Sequence, residues 1–177
     1  MTRYAAFLRG VNVGGVTLKM AEVAAVFAAA GFTDVKTILA SGNVLLNSPS
    51  SADAVRETAE AALRESFGYD AWVLTYPVVT VREISANYPF EREVPEHHSY
   101  VTFVSDADVL EELTTLAGAA GEAAARGDGV LYWQVARAST LNSAVGKTMG
   151  RKRYKSSTTT RNLRTLDKVL ASVHSTP

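Results

Sequence analysis

Three glycines in six residues, Gly10, Gly14 and Gly15, follow Arg9 at the end of a short apolar run. From Tyr4 to Met20 the stretch reads YAAFLRGVNVGGVTLKM, passing from a strand to a helix that starts at about Lys19. The chemistry this combination offers is anion binding. Glycine lets peptide N–H groups approach a ligand closely. A helix start adds free N–H groups and the positive end of its dipole. Arg9 brings a permanent charge on a planar fork that fits phosphate or carboxylate, and Lys19 can add a second charge. Turn geometry alone also explains glycines in such a loop.

A second chemical signal lies at the other end. Residues 147–177 hold eight Lys/Arg and a single acid, Asp167. Lys147, Arg151, Lys152, Arg153, Lys155, Arg161, Arg164 and Lys168 interleave with Ser156, Ser157, Thr158, Thr159 and Thr160. Hydroxyls beside Arg and Lys suit phosphate contacts, which makes nucleic acid the alternative partner. An aromatic-rich strand of the RNA-recognition type is missing; YVTFV at 100–104 is a weak echo and reads better as core. The same charges also serve to solvate a surface and to balance residues 1–146, which hold ten basic and seventeen acidic residues.

Other chemistries fail on spacing. Gly10 to Gly15 has the P-loop interval and Thr17 the hydroxyl, but Val16 stands where the lysine belongs. The three glycines do not fit the dinucleotide G-x-G-x-x-G pattern. His97-His98 reads as a pair of loop histidines whose rings diverge, His174 lies near the chain end, and Glu91, Glu93 and Glu96 read as a solvated loop. Asp106 and Asp108 already have a reason to open a helix. Ser41 lacks the glycine before it that a nucleophile elbow needs, and no histidine is near it in sequence. With no cysteine, disulfides, thiolate metal sites and a thiol nucleophile are excluded. The reading therefore contains no cofactor, no metal and no recognisable catalytic constellation.

Periodicity gives the elements that position these residues. Tyr4–Arg9 reads as a buried strand; Met20, Val23, Phe27 and Ala30 recur at helical spacing before Gly31. Asp34–Leu39 alternates, Ser41-Gly42 marks a turn, and Asn43–Leu46 continues as a strand. Ser51 caps a helix with Val55, Ala59, Leu63 and Phe67 on one face, ended by Gly68, and Ala71–Tyr76 is the fourth strand. A short helix over Thr80–Asn87 and a loop with Pro89 and Pro95 form a linker. The order then recurs: strand Ser99–Val104, a helix capped by Asp106, a hairpin of Glu122–Arg126 and Val130–Val135 around Gly127-Asp128-Gly129, a helix from Ser139, a strand Tyr154–Thr158, and a last helix capped by Asn162.

The class that follows is α+β, with two ferredoxin-like (βαββαβ, or α/β-plait) halves, antiparallel sheets and a C-terminal helix. The expected division is 1–78 and 79–177. In such a unit the end of the first strand and the turn between the second and third share one sheet edge. That brings Arg9, Gly10, Asn12, Gly14 and Gly15 towards Ser41, Gly42 and Asn43. At 177 residues and 47% hydrophobic the chain can bury a sizeable core. No apolar run approaches the ~20 residues of a membrane span, and the N-terminus lacks a signal-peptide pattern. The expectation is a soluble cytoplasmic protein whose oligomeric state the sequence leaves open.

Five stretches together resemble one bacterial family. They are RGVNVGG at 9–15, Lys19-Met20, Ser41-Gly42-Asn43, Asn87-Tyr88-Pro89-Phe90 and Thr159-Thr160-Arg161-Asn162. The family is the domain-of-unknown-function family sixteen-ninety-seven, and the resemblance spans nearly the whole chain. It implies two ferredoxin-like halves and no established activity. It carries over Arg9, Gly10, Asn12, Gly14, Gly15, Ser41, Gly42, Asn43, Thr160, Arg161 and Asn162 as candidate ligand-binding positions. The chain departs from the family pattern at Ala40, often Gln, and at Leu163-Arg164, often Trp-Asn.

The expected function is binding of an anionic small molecule at the glycine-rich edge. Arg9 and Arg161 would hold the anion and Asn12, Asn43 and Asn162 would orient it. The alternatives are nucleic-acid binding through Lys147, Arg151, Lys152, Arg153 and Lys155, an enzyme acting on a phosphorylated metabolite, and a purely structural role for the motifs.

Overall fold

The computed structural model describes residues 1–13 and 15–174, with Leu141 described by its backbone alone. The first four strands are β1 (Thr2–Leu8), β2 (Thr33–Ile38), β3 (Asn43–Ser48) and β4 (Val73–Pro77). They form one antiparallel sheet in the order β2-β3-β1-β4. Its helices are α1 (Met20–Ala29) and α2 (Ala52–Phe67). β1 is central and buried from Tyr4 to Leu8, which is why it reads as a continuous apolar run rather than an alternating one. Ala6, Leu8, Val44 and Leu46 meet Val23 and Phe27 of α1 and Val55, Ala59 and Leu63 of α2 in one core. The Ser51 hydroxyl accepts from the Ala54 N–H at 3.3 Å, and Gly68 closes α2 at φ +65°.

After α3 (Val78–Ala86) the order recurs with β5 (His97–Val104), α4 (Ala107–Ala119), β6 (Ala123–Arg126), β7 (Val130–Ala136), α5 (Ala144–Met149), β8 (Thr158–Asn162) and α6 (Leu163–Ala171). The second sheet is antiparallel in the order β6-β7-β5-β8, the topology of the first. Its core gathers Leu131, Trp133 and Val104 with Leu110 and Leu113 of α4 and Val145 and Met149 of α5. The fold is α+β, built of two ferredoxin-like halves. Two compact units separate: Met1–Arg82 with the residues from Asp167 on, and Glu83–Leu166.

Three elements of the second half depart from expectation. The helix does not begin at Ser139, which lies in a 3-10 turn over Arg137–Asn142. The cap is Ser143, whose hydroxyl accepts from the Gly146 N–H at 3.0 Å, while the Glu122 carboxylate receives the N–H groups of Ala144 and Val145. The last strand is Thr158–Asn162 rather than Tyr154–Thr158. Tyr154 is buried in a 3-10 turn, and its carbonyl accepts from the Thr158 hydroxyl at 2.7 Å, which delays the strand. The Thr159–Asn162 motif is thus an edge strand and not a loop. Asn162 still caps α6: its Oδ1 accepts from the Arg164 N–H at 2.9 Å. His97 and His98, expected in a loop, open β5 because both pair with β7. Among the described residues no helix is long and apolar enough to cross a membrane.

Candidate functional site

Where β1 ends, the chain is held on both sides. The Leu8 N–H donates to the Gly42 carbonyl at 2.8 Å and the Arg9 N–H to the Trp72 carbonyl at 2.9 Å. Eleven residues, Arg9–Lys19, then lead to α1. Asn12 organises them. It adopts the left-handed region at φ +57°, which asparagine tolerates better than most side chains. Its N–H donates to the Val16 carbonyl at 2.8 Å. Its side-chain amide donates to the Leu18 carbonyl at 3.0 Å and to the Ala40 carbonyl at 2.6 Å, and its Oδ1 accepts from the Leu18 N–H at 3.0 Å. One side chain therefore closes the loop on itself and fastens it to the turn between β2 and β3.

The packing agrees. Val11 and Leu18 are buried at the two ends of the loop, while Val13 at its tip is 75% exposed. Gly42 has φ +87°, and a Cβ there would lie 2.7 Å from Val11 Cγ2 and 2.8 Å from Leu8 Cβ. That glycine is required by contact between loop and turn. Gly10 and Gly15 also have positive φ but face open space. Gly14 lies outside the described residues. Asn43 is fully buried; its amide donates to the Ile38 carbonyl at 2.8 Å and to the Ser41 hydroxyl at 2.9 Å. Asn12 and Asn43 thus hold the frame together with their side chains rather than offering them to a ligand.

Arg9 is half-buried at the foot of this loop, and burial lowers its pKa while leaving it a cation at neutral pH. Lys19 is the exposed N-cap residue of α1 and makes no side-chain cap bond; Glu22 already places a negative charge in the first helical turn.

Thr160, Arg161 and Asn162 belong to the second unit, not to the unit of the glycine loop. The Thr160 hydroxyl bonds to the Thr102 hydroxyl at 2.8 Å. Arg161 is only 6% exposed and donates to the Thr159 hydroxyl at 2.8 Å and the Thr160 carbonyl at 2.9 Å. The Asn162 amide reaches His98 Nδ1 at 3.5 Å.

A family model described as "Protein of unknown function (DUF1697)" matches residues 1–132. The chain belongs to the DUF1697 family. The matched residues include the glycine loop and the Ser41–Asn43 turn and stop before Thr159–Asn162. Among curated proteins there is no significant match. A solved structure of a conserved bacterial protein, SP0830 from Streptococcus pneumoniae, shares 22% identity and a TM-score of 0.76, covering 96% of this chain and 97% of its own. That likeness shows the fold. An unknown protein from Galdieria sulphuraria aligns at 11% identity over 91% of this chain and 96% of its own, with a TM-score of 0.26.

In this DUF1697 chain the basic stretch is uneven. Lys147, Arg151, Lys152 and Lys155 are exposed. Arg153 is engaged: its guanidinium binds both oxygens of Glu112, with Nε at 3.3 Å from Oε2, and the Tyr154 hydroxyl donates to the same carboxylate at 3.0 Å. Those bonds, from Arg153 first and Tyr154 second, hold the Glu112 pKa down.

The structure also groups residues that the sequence reading kept apart. His98, Tyr100 and Trp133 form a ladder of rings, with centroids 5.3 Å and 4.6 Å apart. The available signal was the alternation of His98, Tyr100, Thr102 and Val104 along one face of a strand. Among the described residues no three His, Asp or Glu side chains gather as a metal set.

Proposed function

We propose that this DUF1697 chain binds an anionic small molecule, bearing phosphate or carboxylate, at the edge where the glycine loop meets the Leu39–Gly42 turn. The observation that carries the reading is the half-buried Arg9 guanidinium at the foot of a loop pinned by Asn12, beside glycines that leave open space. Desolvation strengthens the pull of a cation on an anion. A pinned loop loses little entropy when a ligand arrives, so peptide N–H groups near Gly10 and Gly15 can serve as donors without refolding. The measurement is a thermal-shift titration with inorganic phosphate, sugar phosphates and dicarboxylates. A ligand at 100-fold excess over its Kd adds about 2.7 kcal/mol to the folded state. We expect one anion class to raise the midpoint and Arg9→Ala to abolish the rise. No shift with any of them, or the same shift in Arg9→Ala, overturns the reading.

The four exposed cations Lys147, Arg151, Lys152 and Lys155 favour a second reading, nucleic-acid binding. It requires an affinity for short oligonucleotides that falls steeply with salt, because each neutralised phosphate releases counterions. Absence of binding at low salt removes it. If both readings fail, the motifs hold the fold, and Arg9→Ala lowers the midpoint without touching any ligand response.

A further inference from the structure

His98 sits between two cations of its own unit, one just past the end of β7 and the other in the first turn of α6. On β7 its partner is Val135, and Arg137 follows two residues later, its N–H bound to the Glu96 carbonyl at 2.9 Å. On the other side Asn162 of β8 pairs with Tyr100, and Arg164 follows in the first turn of α6. Both arginines are exposed, and neither side chain has an ion pair or hydrogen bond among the described residues. The ring centroid lies 5.3 Å from that of Tyr100, with the two planes tilted by 38°. Burial and then the charges of Arg137 and Arg164 lower the His98 pKa, so the ring is neutral at physiological pH.

The hydrogen bonds also assign its proton. Asn162 Oδ1 accepts from the Arg164 N–H, which turns the Asn162 NH₂ towards His98 Nδ1. An amide NH₂ only donates, so Nδ1 accepts and the imidazole proton is on Nε2. The group therefore presents two permanent cations and a neutral N–H donor, with like charges brought together and an anion the natural relief.

We propose that Arg137 and Arg164 clamp a phosphate dianion, free or as a monoester, over the edge of His98, with His98 Nε2–H as a third donor. Two guanidinium forks match a doubly charged group with several acceptor oxygens better than a single carboxylate. The site uses none of the glycine-loop residues. Binding is linked to protons. The groups acting on His98 are Arg137, Arg164, Tyr100 and Asn162, and a bound dianion offsets the two charges that keep the ring neutral. The dianion thus raises the His98 pKa, and affinity grows as pH falls through it.

The test is calorimetry on the full chain with side-chain NMR of His98, using sulfate, inorganic phosphate and phenyl phosphate. Sulfate keeps both charges across the range, so its pH dependence isolates His98. We expect millimolar sulfate to raise the His98 midpoint by about one pH unit, from removal of like-charge repulsion. Arg137→Ala and Arg164→Ala should each weaken binding about tenfold, the scale of one charge-assisted contact. Arg126→Ala, an exposed cation of the same unit outside the cluster, should leave it unchanged. His98→Gln should keep binding and flatten its pH profile. Tighter binding of phenyl phosphate than of inorganic phosphate assigns a monoester, and equal binding assigns free phosphate; either supports the clamp. An unmoved His98 titration, or a double Arg137→Ala/Arg164→Ala variant that binds as the parent does, overturns it. Both arginines are exposed, so the variants are expected to fold, and unchanged melting confirms it.

Discussion

The two halves share a topology but not a first connection. Between β5 and α4 the chain needs two residues, Ser105 and Asp106; between β1 and α1 it uses eleven, Arg9–Lys19. In the short version the Asp106 carboxylate accepts from the Asp108 and Val109 N–H groups at 2.9 and 3.3 Å, and the helix start is closed by its own cap. In the long version Lys19 gives no side-chain cap, and the bonds run instead from Asn12 to Leu18 and Ala40. The fold therefore does not require the glycine loop. What the loop adds is an exposed tip on a base fixed by Asn12.

The largest expected effect separates two left-handed glycines in matching turns. Gly42 and Gly129 both lie in the connection between the second and third strands of their half, at φ +87° and +68°. A methyl on Gly42 meets Leu8 Cβ at 2.8 Å, an atom fixed to the central strand, whereas at Gly129 the nearest atom is the Val104 carbonyl oxygen at 3.8 Å. Gly42→Ala should cost about 3 kcal/mol, overpacking added to backbone strain, and Gly129→Ala about 1 kcal/mol from strain alone. Urea midpoints decide it. Equal losses would mean that the contact between loop and turn gives way easily, and the base of the candidate site would not be rigid.

Next comes the pair that starts the two helices. Asn12→Ala removes three side-chain hydrogen bonds and a tolerated left-handed residue, so about 2 kcal/mol is expected. Asp106→Ala removes one cap and should cost about 1 kcal/mol. Asn12→Gly keeps the backbone conformation and loses only the bonds, which apportions the first figure. Hydrogen exchange at Leu18 should speed up in both Asn12 variants and stay unchanged in Asp106→Ala.

These contrasts also show what a sequence can carry. Ser51, Gly68 and Asp106 announce their helices through local chemistry, and the order of elements then dictates both sheets. Placing Asn12 near Ser41–Asn43 follows from topology alone. Its three hydrogen bonds do not, because they depend on the backbone bringing the Leu18 and Ala40 carbonyls to one side chain. Ser139 and Ser143 look alike in sequence; Glu122, far away along the chain, receives the N–H groups that follow Ser143 and so decides between them. The surroundings of His98 come from β5, β7, β8 and α6, and no spacing rule joins those.

The smallest effect concerns two helix carboxylates. Glu60 of α2 is buried and accepts from the Val73 N–H at 2.9 Å and from Arg56 at 3.3 Å; Glu112 of α4 is exposed and holds Arg153. The Glu112 pKa is lowered by Arg153 and then by Tyr154. A carboxylate depressed in the folded state contributes stability that is present above its unfolded pKa, about 4.3, and lost as pH falls through the folded value. Glu112→Gln should therefore change melting little at neutral pH, as exposed ion pairs contribute little, and flatten the acid limb of the melting profile. It also releases Arg153. If the basic stretch binds nucleic acid, the salt slope of oligonucleotide binding should steepen by about 0.9, one more phosphate neutralised. A flattened acid limb with an unchanged slope would mean that Arg153 serves only to fasten its turn to α4, and would leave Lys147, Arg151, Lys152 and Lys155 to carry that reading alone.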